Sequence, residues 1–315
     1  MKIGFIGLGN LGNKLAKSLI RNKCDLKVCD LNIRNAKSLL DKGARWEKSP
    51  KILTATCDMI ITCLPSPKVS AAVMESTDGI LAGMSPGKIW IEMSTTDQKE
   101  AVRLGSLIEA KGGFALDCPV SGGCHRAATA NISIFVGGGR ACFEKAFPIL
   151  KIMGQRILHT GALGSASILK VATNYLATSN LIALCEALVI SKAAGMNLTT
   201  VYQAIRISSG NSFVHETESQ VILNGSRNIN FTMELVLKDM NLFKSIADQV
   251  GISLEILPKL IEIFEDGQNR YGKNTWSPDI IRRLEEAAGI NIIETGFPAE
   301  IEDDEHETEG YEIKP

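Results

Sequence analysis

Aromatic side chains make up only 5% of this 315-residue sequence, and histidine occurs four times. His125, His159, His215 and His306 lack the spacing of a zinc site, so no metal centre is expected. Net charge is nearly absent at −1, which removes any global pull toward nucleic acid or a membrane surface. Long apolar runs are missing too. The longest, near residues 180–190, is broken by Asn180 and Glu186, which argues against a membrane span. No leader is expected, because Lys2-Ile3-Gly4-Phe5-Ile6 already reads as a strand. Cysteine is not scarce, but none of the eight forms a C-x-x-C and several sit inside apolar runs. That pattern excludes a compact disulfide framework and favours free thiols in a cytoplasmic protein.

What is present is an ordinary globular balance, 45% apolar and 22% charged, in a chain long enough for two domains. The near-zero charge hides an asymmetry. Residues 300–315 carry eight acids against Lys314 alone, leaving the body mildly basic and suited to anionic ligands. Such a tail is expected to be solvated and poorly ordered.

Short apolar strands alternate with amphipathic helices through the first half, the pattern of a parallel sheet covered on both faces. Strands are expected at Lys2–Ile6, Leu26–Asp30, Met59–Leu64, Lys88–Glu92 and Phe114–Asp117, with Ile132–Val136 and Arg156–His159 extending the sheet. Helices fall at Asn10–Arg21 and Asp97–Lys111. From Ser165 to about Gly195 runs one helical pattern free of proline and glycine. Further helices follow near Thr199–Ser208, Phe213–Leu223, Thr232–Gln249, Ser253–Glu265 and Asp279–Ala288. The fold class is therefore α/β: a doubly wound parallel sheet over residues 1–163, then an all-α domain over 164–295 joined by a long helix. Residues 296–315 form the acidic tail.

Gly7-Leu8-Gly9-Asn10-Leu11-Gly12 follows the first strand and opens the first helix. Gly7 permits the tight turn, Gly9 admits a pyrophosphate to the backbone, and Gly12 lets helix and strand pack closely. The helix N-terminus then meets the diphosphate with free N–H groups. Asp30, at the tip of the second strand, suits the adenine-ribose hydroxyls and repels a 2′-phosphate, so NAD is favoured. Arg34 nearby keeps NADP open. Leu64-Pro65 and Ser94-Thr95 end further strands, where the ligand crevice of an open sheet lies. Thr95 can contact the nicotinamide half or simply cap the next helix.

Ser121-Gly122-Gly123 offers a hydroxyl and backbone N–H groups that can cradle a carboxylate, or is a plain loop. Lys170 and Asn174 share one helix face, and Lys170 interrupts the stretch Ala166–Ala172, which is otherwise apolar but for Ser167. An isolated pair of this kind would be a solvated lysine beside a polar neighbour.

Together these segments resemble the β-hydroxyacid dehydrogenase family over about the first 290 residues. The resemblance rests on the glycine motif, on Asp117-Cys118-Pro119-Val120-Ser121-Gly122-Gly123, on Gly161-x-x-Gly164 leading to Lys170 and Asn174, and on Phe231-x-x-x-Leu235-x-x-Lys238-Asp239. It implies a Rossmann-type cofactor domain and hydride exchange between nicotinamide and a short β-hydroxy acid or its semialdehyde. Lys170 would move the hydroxyl proton, Asn174 would hold the substrate oxygen, and Phe231 and Lys238 would contact the cofactor. A homodimer or homotetramer is implied as well.

The sequence departs from the family pattern after the cradle, where Arg126 replaces a usual glycine. Arg126 can recognise a second anionic group on the substrate, or be a solvent-facing loop arginine. Three other readings stand beside the first. An imine reductase usually lacks the lysine, and a phosphogluconate dehydrogenase has a much longer helical region. A non-catalytic dinucleotide-binding scaffold would be expected to lose Lys170.

Overall fold

The computed structural model describes residues 1–314. The chain forms two compact units. The first comprises Met1–Lys170 with the segment from Asp303 onward, and the second is Val171–Glu302.

The first unit is built on ten strands: β1 Lys2–Ile6, β2 Asp25–Cys29, β3 Arg45–Trp46, β4 Met59–Thr62, β5 Ile89–Glu92, β6 Phe114–Asp117, β7 Val120–Ser121, β8 Ser133–Gly137, β9 Arg156–Gly161 and β10 Tyr311–Ile313. Their order is β3-β2-β1-β4-β5-β6-β8-β9-β10, with β7 pairing β8. From β3 to β6 neighbours run parallel. β8 then meets β6 antiparallel, because β7 turns straight back onto it through Val120 opposite Ile134. The wholly parallel sheet expected from the strand pattern therefore reverses at this point.

Strand side chains alternate between faces, and the two faces bury different clusters. Phe5, Ile61, Ile89 and Ile91 belong to one, while Ile6, Ile60 and Trp90 belong to the other. The Trp90 indole N–H donates to Thr62 Oγ1 at 2.9 Å, so burying this large ring leaves no donor unsatisfied. The first helix, Asn10–Arg21, places Leu15, Ala16 and Leu19 against the sheet.

Residues 303–314 are largely exposed but dock on this unit rather than forming a free tail. β10 pairs in parallel with β9, matching Tyr311 with Arg156 and Ile313 with Leu158. Gly310 makes this approach possible: a Cβ there would lie 2.2 Å from the Gly154 carbonyl oxygen. The acids find bases on the unit itself. Glu307 pairs with Arg21 at 3.1 Å, Glu309 with Lys151, and Glu312 with Arg140 at 2.5 Å. Composition pointed to repulsion and disorder, but the mildly basic body neutralises the segment locally.

The second unit is helical, with its own core around Leu188, Val236, Met240, Leu260 and Phe264. Its helices are Leu198–Arg206, Phe213–Asn224, Met233–Val250, Leu257–Tyr271 and Arg282–Ala288, the last preceded by a 3-10 turn at Ser277–Ile281. Asn197, Ser212 and Thr232 cap three of them, each accepting a backbone N–H with its side-chain oxygen. The long helix Ser165–Ala193 belongs to both units, since the division falls between Lys170 and Val171. By length and composition alone this helix could cross a membrane, so Asn180 and Glu186 interrupt it less than the sequence suggested. It stops near Gly195, which adopts the left-handed conformation (φ +86°).

Candidate active site

Parallel register lines up the strand ends. Ile6 stands opposite Cys29 and Thr62, Thr62 opposite Glu92, and Glu92 opposite Asp117. The residues that follow therefore share one sheet edge: Gly7, Asp30, Cys63-Leu64, Met93-Ser94 and Cys118. Loops at this carboxyl edge are where an open α/β sheet binds ligand.

Each motif glycine has a separable physical cause. Gly7 has φ +93°, and a Cβ there would lie 2.3 Å from the Cys63 carbonyl oxygen. A Cβ on Gly12 would lie 2.1 Å from the Gly7 oxygen, so helix and turn meet backbone to backbone. Gly9 differs: its φ is −65°, and a Cβ would meet nothing within 4 Å. Neither strain nor packing explains this glycine. An open surface over the uncapped N-terminus of helix Asn10–Arg21 fits a diphosphate that approaches the backbone. Leu8 and Gly12 are buried, Leu11 is half-buried, and Asn10 is exposed on the same turn.

Asp30 holds this turn. Its Oδ2 accepts the Leu8 N–H at 2.6 Å, while Oδ1 accepts the Asn32 N–H at 2.8 Å and Asn35 Nδ2 at 3.1 Å. The carboxylate is thus fixed beside the glycine loop, with acceptor capacity remaining for ribose hydroxyls. Arg34 lies exposed in the following 3-10 turn.

The neighbouring loops are tied by a residue the sequence reading did not single out as a site residue. Ser94 Oγ accepts the Leu64 N–H at 2.7 Å and contacts Glu92, whose Oε1 also accepts the Ser94 N–H at 2.9 Å. Burial pushes the Glu92 carboxyl above the usual range, with the Ser94 donors opposing it. Pro65 is exposed beside Leu64. Thr95 is half-buried and does not cap the next helix; Asp97 does, accepting the Glu100 N–H at 3.0 Å.

Asp117 performs the decisive local task. Its Oδ1 accepts the Gly164 N–H at 2.8 Å, and its Oδ2 accepts the Ser167 N–H at 2.8 Å and Oγ at 3.1 Å. A carboxylate at the end of β6 therefore caps the long helix, satisfying donors that a helix start leaves open. Burial raises its pKa, opposed by those same donors. Lys170 follows Ser167 by about one turn and is only 7% exposed. The cap thus fixes the start of the helix that carries the buried Lys170, at the carboxyl edge of the sheet that also bears the glycine loop.

Ser121 ends β7, and Gly122 and Gly123 follow with φ of +125° and +82°. These conformations belong to glycine and turn the chain into helix Gly123–Thr129. Ser121 and Gly122 are half-buried and Gly123 is exposed, as a ligand cradle requires. Arg126 departs from expectation. Its Nη2 donates to Glu305 Oε1 at 2.7 Å, so the guanidinium holds a carboxylate of its own chain rather than facing solvent.

In the second unit Asn174 Nδ2 donates to Asp239 Oδ2 at 2.5 Å, and Lys238 pairs with Asp239 Oδ1 at 3.0 Å. Asp239, itself 1% exposed, thus ties two expected site residues together. Its adjacency to Lys238 was visible in the sequence, but its contact with Asn174 spans 65 positions. Phe231 packs partly buried on the helical core. Among the described residues no cluster of histidine, cysteine or acids suits a metal. All eight cysteines are free, and burial pushes Cys29 and Cys142 up to about 11, away from thiolate chemistry.

Comparison with known proteins identifies the family of both units. Residues 2–161 match the model of the NAD binding domain of 6-phosphogluconate dehydrogenase. Residues 164–284 match the NAD-binding region of NADP-dependent 3-hydroxyisobutyrate dehydrogenase. The chain is 30% identical to 2-(hydroxymethyl)glutarate dehydrogenase of Eubacterium barkeri, over 93% of its length and 97% of that relative. It is 32% identical to mitochondrial 3-hydroxyisobutyrate dehydrogenase of Rattus norvegicus, over 76% and 74%. Among solved structures, 3-hydroxyisobutyrate dehydrogenase of Mycobacterium tuberculosis with L-serine superposes with a TM-score of 0.81 at 26% identity, covering 90% of this chain and 98% of that one. The chain belongs to the β-hydroxyacid dehydrogenase family, NAD(P)-dependent oxidoreductases acting on a CH–OH group.

Proposed function

We propose that the protein interconverts a short-chain β-hydroxy acid of the 3-hydroxyisobutyrate type and its semialdehyde, with Lys170 as the proton-transfer group and NAD favoured over NADP. The observation that carries this reading is the buried Lys170 on a helix capped by Asp117 at the edge bearing the glycine loop. Bound nicotinamide supplies the hydride acceptor or donor. Gly7, Gly9, Gly12 and Asp30 would hold the dinucleotide, with Leu64, Pro65 and Thr95 on the adjoining loops. In the second unit, Lys238 and Phe231 are the further candidates for cofactor contact.

Ser121, Gly122 and Gly123 receive the substrate carboxylate through a hydroxyl and backbone N–H groups. Lys170 Nζ accepts the hydroxyl proton during oxidation and returns it to the carbonyl oxygen during reduction. Asn174 orients that oxygen, and Asp239 orients Asn174.

Leu176 and Ile190 on the long helix are 58% and 69% exposed, and we assign such faces to contact with further copies in a homodimer or homotetramer. Lys170, Asn174 and Glu186 on the same helix favour that reading over a lipid-spanning one. Free, mostly buried thiols suit a cytoplasmic setting.

The test is a spectrophotometric panel of short hydroxy acids and semialdehydes with NAD and NADP, run beside Lys170→Ala. Loss of at least a hundredfold in kcat with cofactor affinity kept is expected. Turnover within threefold of the parent in that variant would overturn the assignment.

A further inference from the structure

Arg126 lies directly against the cradle. A Cβ on Gly122 would be 3.1 Å from Arg126 Cδ, so the arginine arm runs along the backbone that is proposed to bind the substrate carboxylate. A guanidinium in that position is able to receive a second carboxylate on the same substrate. The chain fills it instead. Glu305 bridges two guanidiniums, through Oε1 to Arg126 at 2.7 Å and through Oε2 to Arg156 at 2.9 Å. The same segment is fastened on either side. Asn131, fully buried, donates to Asp303 Oδ2 at 2.7 Å and to the Glu305 carbonyl oxygen at 2.8 Å. Thr129 also donates to Asp303, and Gln155 donates to Thr308 at 2.6 Å. Two arginines and two acids here balance in charge.

We propose that Glu305 is a specificity-determining residue, which by occupying Arg126 restricts the substrate to acids with a single carboxylate. The inference rests on the cradle assignment above. A second substrate carboxylate must displace Glu305, which is tethered by Asn131 and by β10 and so competes at an effective concentration of about millimolar or more. The displaced acid would be left near the incoming one, and like charges repel at this range. A substrate with a methyl or hydroxymethyl group in that position displaces nothing.

The test compares the parent, Glu305→Gln, and Glu305→Gln combined with Arg126→Gln. Turnover is measured on 3-hydroxyisobutyrate and on 2-(hydroxymethyl)glutarate. Binding of glutarate and of butyrate is measured separately by calorimetry in the presence of NAD. In Glu305→Gln the ratio of kcat/KM for the dicarboxylate over the monocarboxylate should rise about tenfold, and glutarate should bind correspondingly tighter while butyrate is unchanged. The double variant should return both quantities to the parent level. Glu305→Gln removes the competing carboxylate charge from Arg126 whether or not the strand stays docked, so a rise is expected either way. An unchanged ratio together with unchanged glutarate binding overturns the proposal, as does a gain that survives in the double variant. If the parent turns over neither hydroxy acid, the functional reading fails, and glutarate binding alone then decides the role of Glu305.

Discussion

Gly9→Ala and Gly12→Ala should separate cofactor affinity from folding, although both remove a glycine from the same turn. At Gly12 the new methyl would sit 2.1 Å from the Gly7 oxygen, more than 1 Å inside ordinary contact, and the obstacle is backbone. Relief requires the first helix to move off the sheet, an overpacking cost of about 3 kcal/mol or more. For a protein of this size the melting temperature should drop by about 5 °C or more. At Gly9 the methyl meets nothing within 4 Å and φ is −65°, which alanine adopts freely. The residual cost is that of alanine at a helix N-cap, about 0.5–1 kcal/mol, or roughly 2 °C. The methyl nevertheless stands where a diphosphate must approach, so NADH affinity should weaken at least tenfold, equivalent to about 1.4 kcal/mol. Thermal melts without cofactor and NADH fluorescence titrations measure the two quantities. Should Gly9→Ala bind NADH within twofold of the parent, the diphosphate does not pass over this backbone and the reasoning from open space is wrong.

Two further outcomes follow from buried acids. Glu218 lies within helix Phe213–Asn224, where burial pushes its carboxyl up to about 8. An acid protonated when folded and ionised when unfolded makes stability fall as pH rises from its unfolded value near 4.5 toward 8. Glu218→Gln should therefore melt at the parent temperature near pH 4 but gain about 2 kcal/mol near pH 8, partial exposure limiting the effect. A stability difference that is flat with pH would refute it. Asp117→Ala should leave the Gly164 and Ser167 donors without their acceptor, costing about 3 kcal/mol and lowering kcat by releasing the helix start that carries Lys170. Unaltered kcat in a variant shown to be destabilised would break the link between this cap and Lys170.

The parts of the site legible in the sequence were those written locally. The glycine turn, the strand that precedes it and the helix that follows are contiguous, and their spacing states their geometry. Lys170 stood out because an apolar helix stretch rarely admits an ammonium. Interactions between distant positions were not legible. Asp117 was part of a recognised segment, but its grip on Gly164 and Ser167 spans 47 and 50 positions. Glu92 and Ser94 looked like strand and loop, and only the parallel register brings Leu64 within reach of the Ser94 hydroxyl. The acid-rich segment misled for a physical reason. Its charge density indicates repulsion when read alone, yet it folds because Arg21, Arg126, Arg140, Lys151 and Arg156 are spread over the surface it crosses.

β10 is drawn from beyond the helical unit, so the first unit is discontinuous in the chain. During synthesis β9 emerges about 150 residues before the strand that will cover it, and at typical elongation rates that interval lasts about 10–30 seconds. For that time the nascent sheet presents an unpaired edge, the feature most prone to pair with a neighbouring molecule. An expression fragment that stops short of Asp303 would keep that edge permanently open. A fusion partner joined immediately after Ile313 would press on it. Fragments intended to isolate the nucleotide-binding half should therefore carry residues 303–314 back onto it through a flexible link.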